Sequence, residues 1–141
     1  MPKILLPMDG SDNALRAIEH VIALQQSESG LDIHLIAVPI AVDSGHARMF
    51  VNHAELEDYY REEGETALAE ARRRLDQAGV AYSYHIVPGH IAETIARFAE
   101  EHRFDGIIMG THGRGGLKHL LLGSVATDVI KLTALPVTLV K

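Results

Sequence analysis

Five short segments with the length and apolar content of β-strands recur along this chain, at residues 3–8, 31–38, 80–87, 106–109 and 136–140. The segments between them carry apolar residues at the helical period, as Leu15, Ile18 and Val21 do in the first. Strands that alternate with helices form a parallel sheet, and right-handed crossovers place those helices on both of its faces. The sequence therefore predicts an α/β protein, a single doubly wound domain over residues 1–141 with a five-stranded parallel sheet.

The third predicted strand differs from the others because polar and apolar residues alternate in it. Tyr82, Tyr84 and Ile86 fall on one side of the strand, and Ser83 and His85 fall on the other. Alternation of this kind is typical of a strand that is only half covered. We expect this strand to lie at an edge of the sheet.

The amphipathic segment before that strand predicts a long helix that ends at Gly79. Its outer face carries Arg72, Arg73 and Arg74, a cluster that would suit a phosphate or nucleic acid if it stood alone. The same helix carries many acidic residues, among them Glu70. We therefore expect a solvated helix face with ion pairs one turn apart, not a nucleic-acid site.

A glycine-rich loop follows the fourth predicted strand. Gly110 opens the loop, Gly113 follows after two residues, and Gly123 and Ser124 come nine residues later, immediately before a helical pattern. Glycine lets a ligand approach the backbone, and serine is a favoured residue for the N-cap of a helix. We expect Ser124 to cap that helix.

The charge around this loop suits an anion. The chain has a net charge of -6, yet no acidic residue occurs between Asp105 and Asp128, whereas Arg114 and Lys118 lie in that interval. The start of a helix offers unpaired N–H groups and the positive end of the helix dipole. These features together predict a phosphate site.

Neither of the two common nucleotide motifs is present. A Walker loop requires lysine before the final serine, but Gly123 precedes Ser124, and a dinucleotide fingerprint requires glycine where Lys118 stands. The pattern G-x2-G-x9-G-S instead resembles the ATP-binding branch of the universal stress protein family, and the resemblance covers essentially the whole chain. It implies the strand order 3-2-1-4-5, which brings the loops beginning at Asp9 and Gly110 together at the point where the winding reverses.

The resemblance also implies roles at the nucleoside end of an ATP site. Asp9 contacts the nucleoside, and the backbone of Val38 recognises the adenine edge. Gly110 and Gly113 allow the backbone to approach the ribose and the phosphates. Capping of the first helix is an alternative role for Asp9, and it is compatible with binding.

At the phosphate end, the resemblance assigns Gly123, Ser124 and the amide of Val125 to the phosphates. Arg114 and Lys118 are candidates to add positive charge at the triphosphate, ranked below the glycines because long basic side chains in glycine-rich loops are often only solvated. Any Mg²⁺ is expected to bind through the nucleotide phosphates and to keep several waters. His112 and His119 have no nearby carboxylate and follow no ligand pattern, so we expect no metal site formed by protein ligands.

No nucleophile with an evident base stands out, because Ser11 and Ser124 both lie at predicted helix starts, and we assign no catalytic residue. The first hypothesis is therefore an ATP-binding regulatory or stress-response module whose nucleotide alters its assembly or its contact with an unidentified protein partner. A slow ATP hydrolase or a phosphoryl or nucleotidyl transferase is the second hypothesis. A nucleotide-free dimeric adaptor is the third.

The last predicted strand, Pro136 to Val140, would leave an unpaired apolar edge, and the family resemblance implies a homodimer through it.

Two segments depart from the family or carry no transferable role: Gly89-His90-Ile91 replaces the usual Gly-x-Pro, and residues 41–53 vary. The chain has no cysteine and no apolar run long enough for a signal peptide or a membrane span. We expect a cytoplasmic protein that binds neither nucleic acid nor membranes.

Overall fold

Strands and helices alternate in the computed structural model, which describes residues 1–27, 30–42, 52–111 and 122–141. The strands within these residues are β1 Lys3–Pro7, β2 Asp32–Ala37, β3 Ser83–Ile86, β4 Gly106–Gly110 and β5 Val137–Val140. The helices are α1 Asp12–Ser27, α2 His53–Gln77, α3 Ile91–Glu101 and α4 Ser124–Leu132. Each strand predicted from the sequence is present, although most are shorter by one or more residues.

The strands form one parallel sheet in the order β3-β2-β1-β4-β5. The predicted class, parallel sheet and strand order are confirmed. So is the edge position of β3, which pairs with β2 from His34↔Ser83 to Ala37↔Ile86. Because β1 lies between β2 and β4, the chain adds strands on one side of β1 and then crosses to the other.

Two hydrophobic cores cover the two faces of this sheet. The core beneath α1 and α2 includes Leu6, Ile18, Leu35, Leu68 and Leu75. The core beneath α3 and α4 includes Leu5, Ile36, Ile95, Ile107 and Val129. Consecutive residues of a strand point to opposite faces, which is why Leu5 and Leu6 belong to different cores. Full burial of each such side chain contributes roughly 1.5–3 kcal/mol.

The amino ends of β1 and β4 are clamped together by Lys3. Its amide donates to Asp105 Oδ2 at 2.7 Å, and its carbonyl accepts from the Asp105 amide at 2.7 Å. The Lys3 Nζ donates to the His102 carbonyl at 2.7 Å and lies 4.5 Å from the centre of the Phe104 ring. These contacts fix β4 beside β1 at the amino ends of the two strands, opposite the end from which the glycine-rich loop leaves β4.

The outer face of α2 is held by ion pairs, as the sequence predicted. Arg74 bonds Glu19 at 3.0 Å as well as Glu70 at 3.3 Å, while Arg73 also pairs with Glu70. The hydrogen bonds from Arg73 are the main reason that the pKa of Glu70 falls to about 2. Arg72 turns towards β3, where its guanidinium lies 4.1 Å from the centre of the Tyr84 ring.

A glycine in the middle of α2 sets the distance between that helix and β3. The buried residues of α2 form one stripe, Gly64, Leu68, Ala71 and Leu75. A Cβ at residue 64 would lie 2.7 Å from Cγ1 and 2.8 Å from Cδ1 of Ile86. Such separations are closer than side-chain packing allows, so Gly64 is needed for this approach.

Three polar side chains form a hydrogen-bonded chain on the other face of β2 and β3. His34 Nδ1 lies 2.9 Å from His85 Nε2, and His34 Nε2 lies 3.0 Å from Asp32 Oδ1. Because a carboxylate only accepts, neutral His34 carries its hydrogen on Nε2 and accepts from His85. The His85 ring packs 4.8 Å from the Phe98 ring, measured between centres. Burial lowers the pKa of His85, and the positive charges near it lower that pKa further.

Replacement of Gly64 by alanine is expected to destabilise the protein by up to about 2 kcal/mol. Overpacking against Ile86 costs about 1–3 kcal/mol, whereas alanine improves helix propensity by about 1 kcal/mol. The measurement is chemical denaturation. Ile86→Ala removes the clash, so the double variant should be more stable than the sum of the single effects by about 1 kcal/mol. Glu65→Ala, at an exposed position of the same helix, is the control, and additive Gly64 and Ile86 effects would contradict the packing argument.

Acid is expected to weaken the fold through His85. Its native pKa lies below the ordinary 6.5, so the unfolded chain binds a proton first as the pH falls. The stability contribution is complete above about pH 6.5 and is lost as the pH falls through the native pKa. Urea denaturation at a series of pH values measures this slope. His85→Gln should flatten it, whereas His20→Gln, at an exposed position of α1, should not; equal slopes in all three proteins would refute the assignment.

Candidate functional site

The loops that follow β1 and β4 leave neighbouring strands, because β1 and β4 are paired at Ile4↔Gly106 and Leu5↔Ile107. The predicted meeting of these loops rests on this pairing. At the carboxyl end of β4, a Cβ on Gly110 would lie 2.5 Å from the carbonyl oxygen and 2.7 Å from the carbonyl carbon of Asn13. The first turn of α1 therefore packs directly on the Gly110 backbone. Asn13 was not among the residues that the sequence indicated.

The turn between β1 and α1 is organised by Asp9 and Ser11. Asp9 Oδ1 accepts the Ser11 amide at 2.9 Å, and Ser11 Oγ accepts the Ala14 amide at 3.2 Å. Ser11 is thus the residue that caps α1, and the alternative role of Asp9 as the cap is wrong. The hydrogen bond to Ser11 instead holds the half-buried Asp9 carboxylate at the carboxyl edge of the sheet.

The start of α4 lies beside the end of β4. The Gly123 amide donates to the Thr111 carbonyl at 2.6 Å, and Gly123 itself is the N-cap, with extended backbone angles. The prediction that Ser124 is the N-cap is wrong by one residue, because Ser124 already has helical geometry. A glycine cap has no side chain to accept the amides of the first turn, and within the described residues no side chain caps this helix. The amides that begin α4 are therefore left for another acceptor.

Val38 and Val125 extend the site over the second core. Val38 follows β2 and Val125 lies in the first turn of α4, and both are partly buried against that core. They connect the ends of β2 and α4 across one face of the sheet. Gly113 and Arg114 lie outside the described residues, as do His112, Lys118 and His119.

A groove between α3 and α4 begins next to these residues. It has a volume of about 490 Å³, and its lining includes Ile40, Ile91, Val125 and Leu132. The sequence analysis did not anticipate it. Its apolar lining residues come from two helices and one loop, so no single periodic pattern in the sequence would have indicated them.

Two wider features of the described residues complete the picture. They contain no group of three or more His, Cys, Asp or Glu side chains placed to hold a metal ion. Within the same ranges, every helix is too short or too polar to cross a lipid bilayer.

Comparison with known proteins gives a consistent result. The sequence model of the universal stress protein family matches residues 1–141. Universal stress protein MJ0531 of Methanocaldococcus jannaschii is 34% identical over 141 residues, which cover 99% of this chain and 81% of that relative. Universal stress protein MJ0577 of the same organism is 33% identical over 154 residues, with 99% of this chain and 94% of the relative covered.

Solved structures agree with the sequence comparisons. The structure of MJ0577 is similar with a TM-score of 0.82 at 34% identity, covering 99% of this chain and 95% of that one. A universal stress protein from Archaeoglobus fulgidus in complex with dAMP gives a TM-score of 0.64 at 22% identity, with 100% and 98% covered, and this likeness shows the fold alone. From the match of the family model to the whole chain and from two full-length relatives, this protein belongs to the universal stress protein family.

Proposed function

We propose that this protein binds an adenine nucleotide, ATP in the first instance, and acts as a nucleotide-dependent regulatory or stress-response module. The observation that carries the proposal is the start of α4. Its first amides receive no capping side chain from the described residues, and its glycine cap is hydrogen-bonded to Thr111 at the end of β4. A member of the same family has been solved with dAMP, which supports an adenine nucleotide as the ligand class.

The phosphate end of the proposed site is the beginning of α4. Ser124 is exposed at the first position of the helix, and its hydroxyl and amide are suited to a phosphate oxygen. The helix dipole contributes roughly 0.3–2 kcal/mol for an anion in this position. Val125 follows with a second amide. Gly113 and Arg114 are retained in the proposal as predicted from the sequence.

The nucleoside end of the proposed site combines Asp9, Val38 and Gly110. The Asp9 carboxylate accepts the Ser11 amide, and a carboxylate is also the kind of group that accepts hydrogen bonds from the hydroxyl groups of a ribose. Val38 offers its backbone at the rim of the second core. Gly110 contributes chiefly by letting α1 approach β4, so it shapes the crevice through packing.

In this proposal, any Mg²⁺ binds to the phosphate oxygens of a bound triphosphate and keeps several waters, because Mg²⁺ commonly binds in this way. We propose no protein ligands for the ion. The proposal also assigns no catalytic residue. Ser11, one of the two serines considered as nucleophiles, uses its hydroxyl oxygen to cap α1. The cytoplasmic location predicted from the sequence is part of the same proposal.

The first test is mass spectrometry of nucleotide released by denaturing the purified, untreated protein, followed by calorimetric titration of the stripped protein with ATP, ADP and AMP. Ser124→Asp is expected to weaken binding at least tenfold, because its carboxylate would face the phosphates. The same change favours the helix, since an acid at a helix N-terminus is stabilising, so the melting temperature should not fall.

Ser124→Asn is the matched control, because it has the same size as the aspartate variant without the charge. It should lose much less affinity than Ser124→Asp. A folded protein that carries no nucleotide and does not titrate would sink the proposal and favour the nucleotide-free adaptor. ATP that is turned over by protein free of contaminants would favour the slow hydrolase or transferase.

We also propose a homodimer through β5, Val137–Val140, which lies within the predicted strand Pro136 to Val140. The carbonyls of Pro136 and Val140 accept hydrogen bonds from the amides of Ile107 in β4 and of Thr111 just after it. Alternation along the strand therefore turns the main-chain groups of Val137 and Leu139 towards the open edge of the sheet. An edge of this kind is covered when it pairs with its symmetry mate.

Val137→Pro is expected to convert the dimer to a monomer while the fold is retained. Proline keeps an apolar side chain of similar size but removes the outward N–H that would bond the partner strand. Size-exclusion chromatography with light scattering measures the mass, and circular dichroism monitors the fold. Thr138→Ala, which leaves the outward N–H groups unchanged, is the control. A monomeric parent protein, or a dimer unaffected by Val137→Pro, would show that β5 is not the interface.

A further inference from the structure

The groove between α3 and α4, here called the α3–α4 groove, continues beyond its first part. The part of about 490 Å³ adjoins a second depression of about 340 Å³, and both are lined by Glu93 and Leu132. The two depressions therefore meet at these two side chains. The second runs along α3 as far as Glu101. Since α3 has 11 residues, the channel is about 16 Å long, the length of three helical turns.

The floor of the α3–α4 groove is apolar and accessible. Ile91 and Val125 pack partly against the second core from the floor of the groove. Ile40 and Leu132 also line it, and 67% of the Ile40 surface and 50% of the Leu132 surface remain exposed. Large apolar side chains with this much exposure, gathered along one channel, are typical of a surface that binds a partner.

The rim of the α3–α4 groove is acidic. The carboxylates that line it are Glu93, Glu100, Glu101 and Asp128, whereas the basic side chains are Arg97 and Lys131. Glu93, Glu101 and Asp128 form no ion pair with any residue in the described part of the chain. On α2, by comparison, Glu57, Asp58 and Glu70 are each paired with a basic side chain of the same helix. The rim therefore offers unpaired negative charge around an apolar floor.

We infer that the α3–α4 groove docks a basic amphipathic helix of a partner protein. Apolar side chains at the helical period would fill the floor, and lysine or arginine side chains beside them would meet Glu93, Glu101 and Asp128. A second copy of this chain fits less well, because the chain carries a net charge of -6. The same charge disfavours an anionic membrane. This docking function is separate from nucleotide binding, although Val125 borders both sites.

The experiment is peptide display on the immobilised full chain, using a library of 16-residue helical peptides randomised among Leu, Ala, Gln, Lys and Glu. The enriched peptides are expected to be basic, with leucine at i, i+3 or i+4, and i+7. One enriched peptide is then synthesised with a fluorescein label, and its affinity is measured by anisotropy. No enrichment, or enrichment of neutral or acidic peptides, overturns the inference.

Variants locate the binding surface. Leu132→Gln should weaken the labelled peptide at least tenfold through the floor, and Asp128→Lys should weaken it at least threefold through the rim, with a larger effect at low salt. Both positions are exposed, so both variants should fold. Ile130→Gln is the control for the floor, because Ile130 is exposed on the same helix outside the groove; Glu62→Lys on α2 is the control for charge.

Equal binding by all four variants overturns the inference, because the peptide would then occupy another surface. Light scattering of the protein alone tests whether a second copy of this chain occupies the groove. If Leu132→Gln dissociates a dimer of the parent protein, a second copy covers the groove and the inference fails. The peptide assay is done with protein from which any nucleotide has been removed. Its outcome therefore does not depend on whether the protein binds nucleotide.

Discussion

The pairing of β1 with β4 is the contact on which the rest of the architecture depends. β1 is the strand from which the sheet grows in both directions, first towards β2 and β3 and then towards β4 and β5. Lys3 and Asp105 exchange hydrogen bonds at one end of this pair, and Gly110 packs on Asn13 at the other. The amino end is thus held by polar bonds and the carboxyl end by steric fit. Only when both ends are fixed do the turn at Asp9 and the start of α4 lie at the same edge of the sheet.

The two faces of the sheet differ in what they leave available to other molecules. On the side of α1 and α2, the long helix closes the surface with its own ion pairs, and Gly64 draws that helix tightly against β3. On the side of α3 and α4, the helices are short and leave an open channel whose acids are unpaired. The candidate nucleotide site and the α3–α4 groove both draw on this second face, and Val125 belongs to both.

Much of the fold followed from the sequence because periodicity is a local property. The spacing of Leu15, Ile18 and Val21 gives α1, and the alternation through Tyr84 gives the edge strand. The strand order required the family resemblance, because no local pattern states which strands become neighbours. The helical pattern after Gly123 predicted α4, but its cap was assigned to Ser124 from residue preference alone. The hydrogen bond from Gly123 to Thr111, a contact between two elements, is what sets the cap.

The same limit applies to side chains that meet across the fold. His34 and His85 come from different strands, and neither has a sequence neighbour that would have indicated the hydrogen bond between them. Asp9 was assigned either to capping or to binding, and the structure gives the cap to Ser11. The α3–α4 groove could not be predicted, since its lining depends on how two helices are packed and not on the pattern within either one.

The contact between Gly110 and Asn13 has a consequence for the evolution of the family. A side chain at residue 110 would disturb the sheet whether or not any nucleotide is present, so natural selection for folding alone is enough to retain glycine there. A descendant that had abandoned nucleotides would still carry the first glycine of the motif. Under the proposed function, the later part of the pattern, where Gly123 places no side chain over the amides of α4, is therefore the part whose loss would record a change of function.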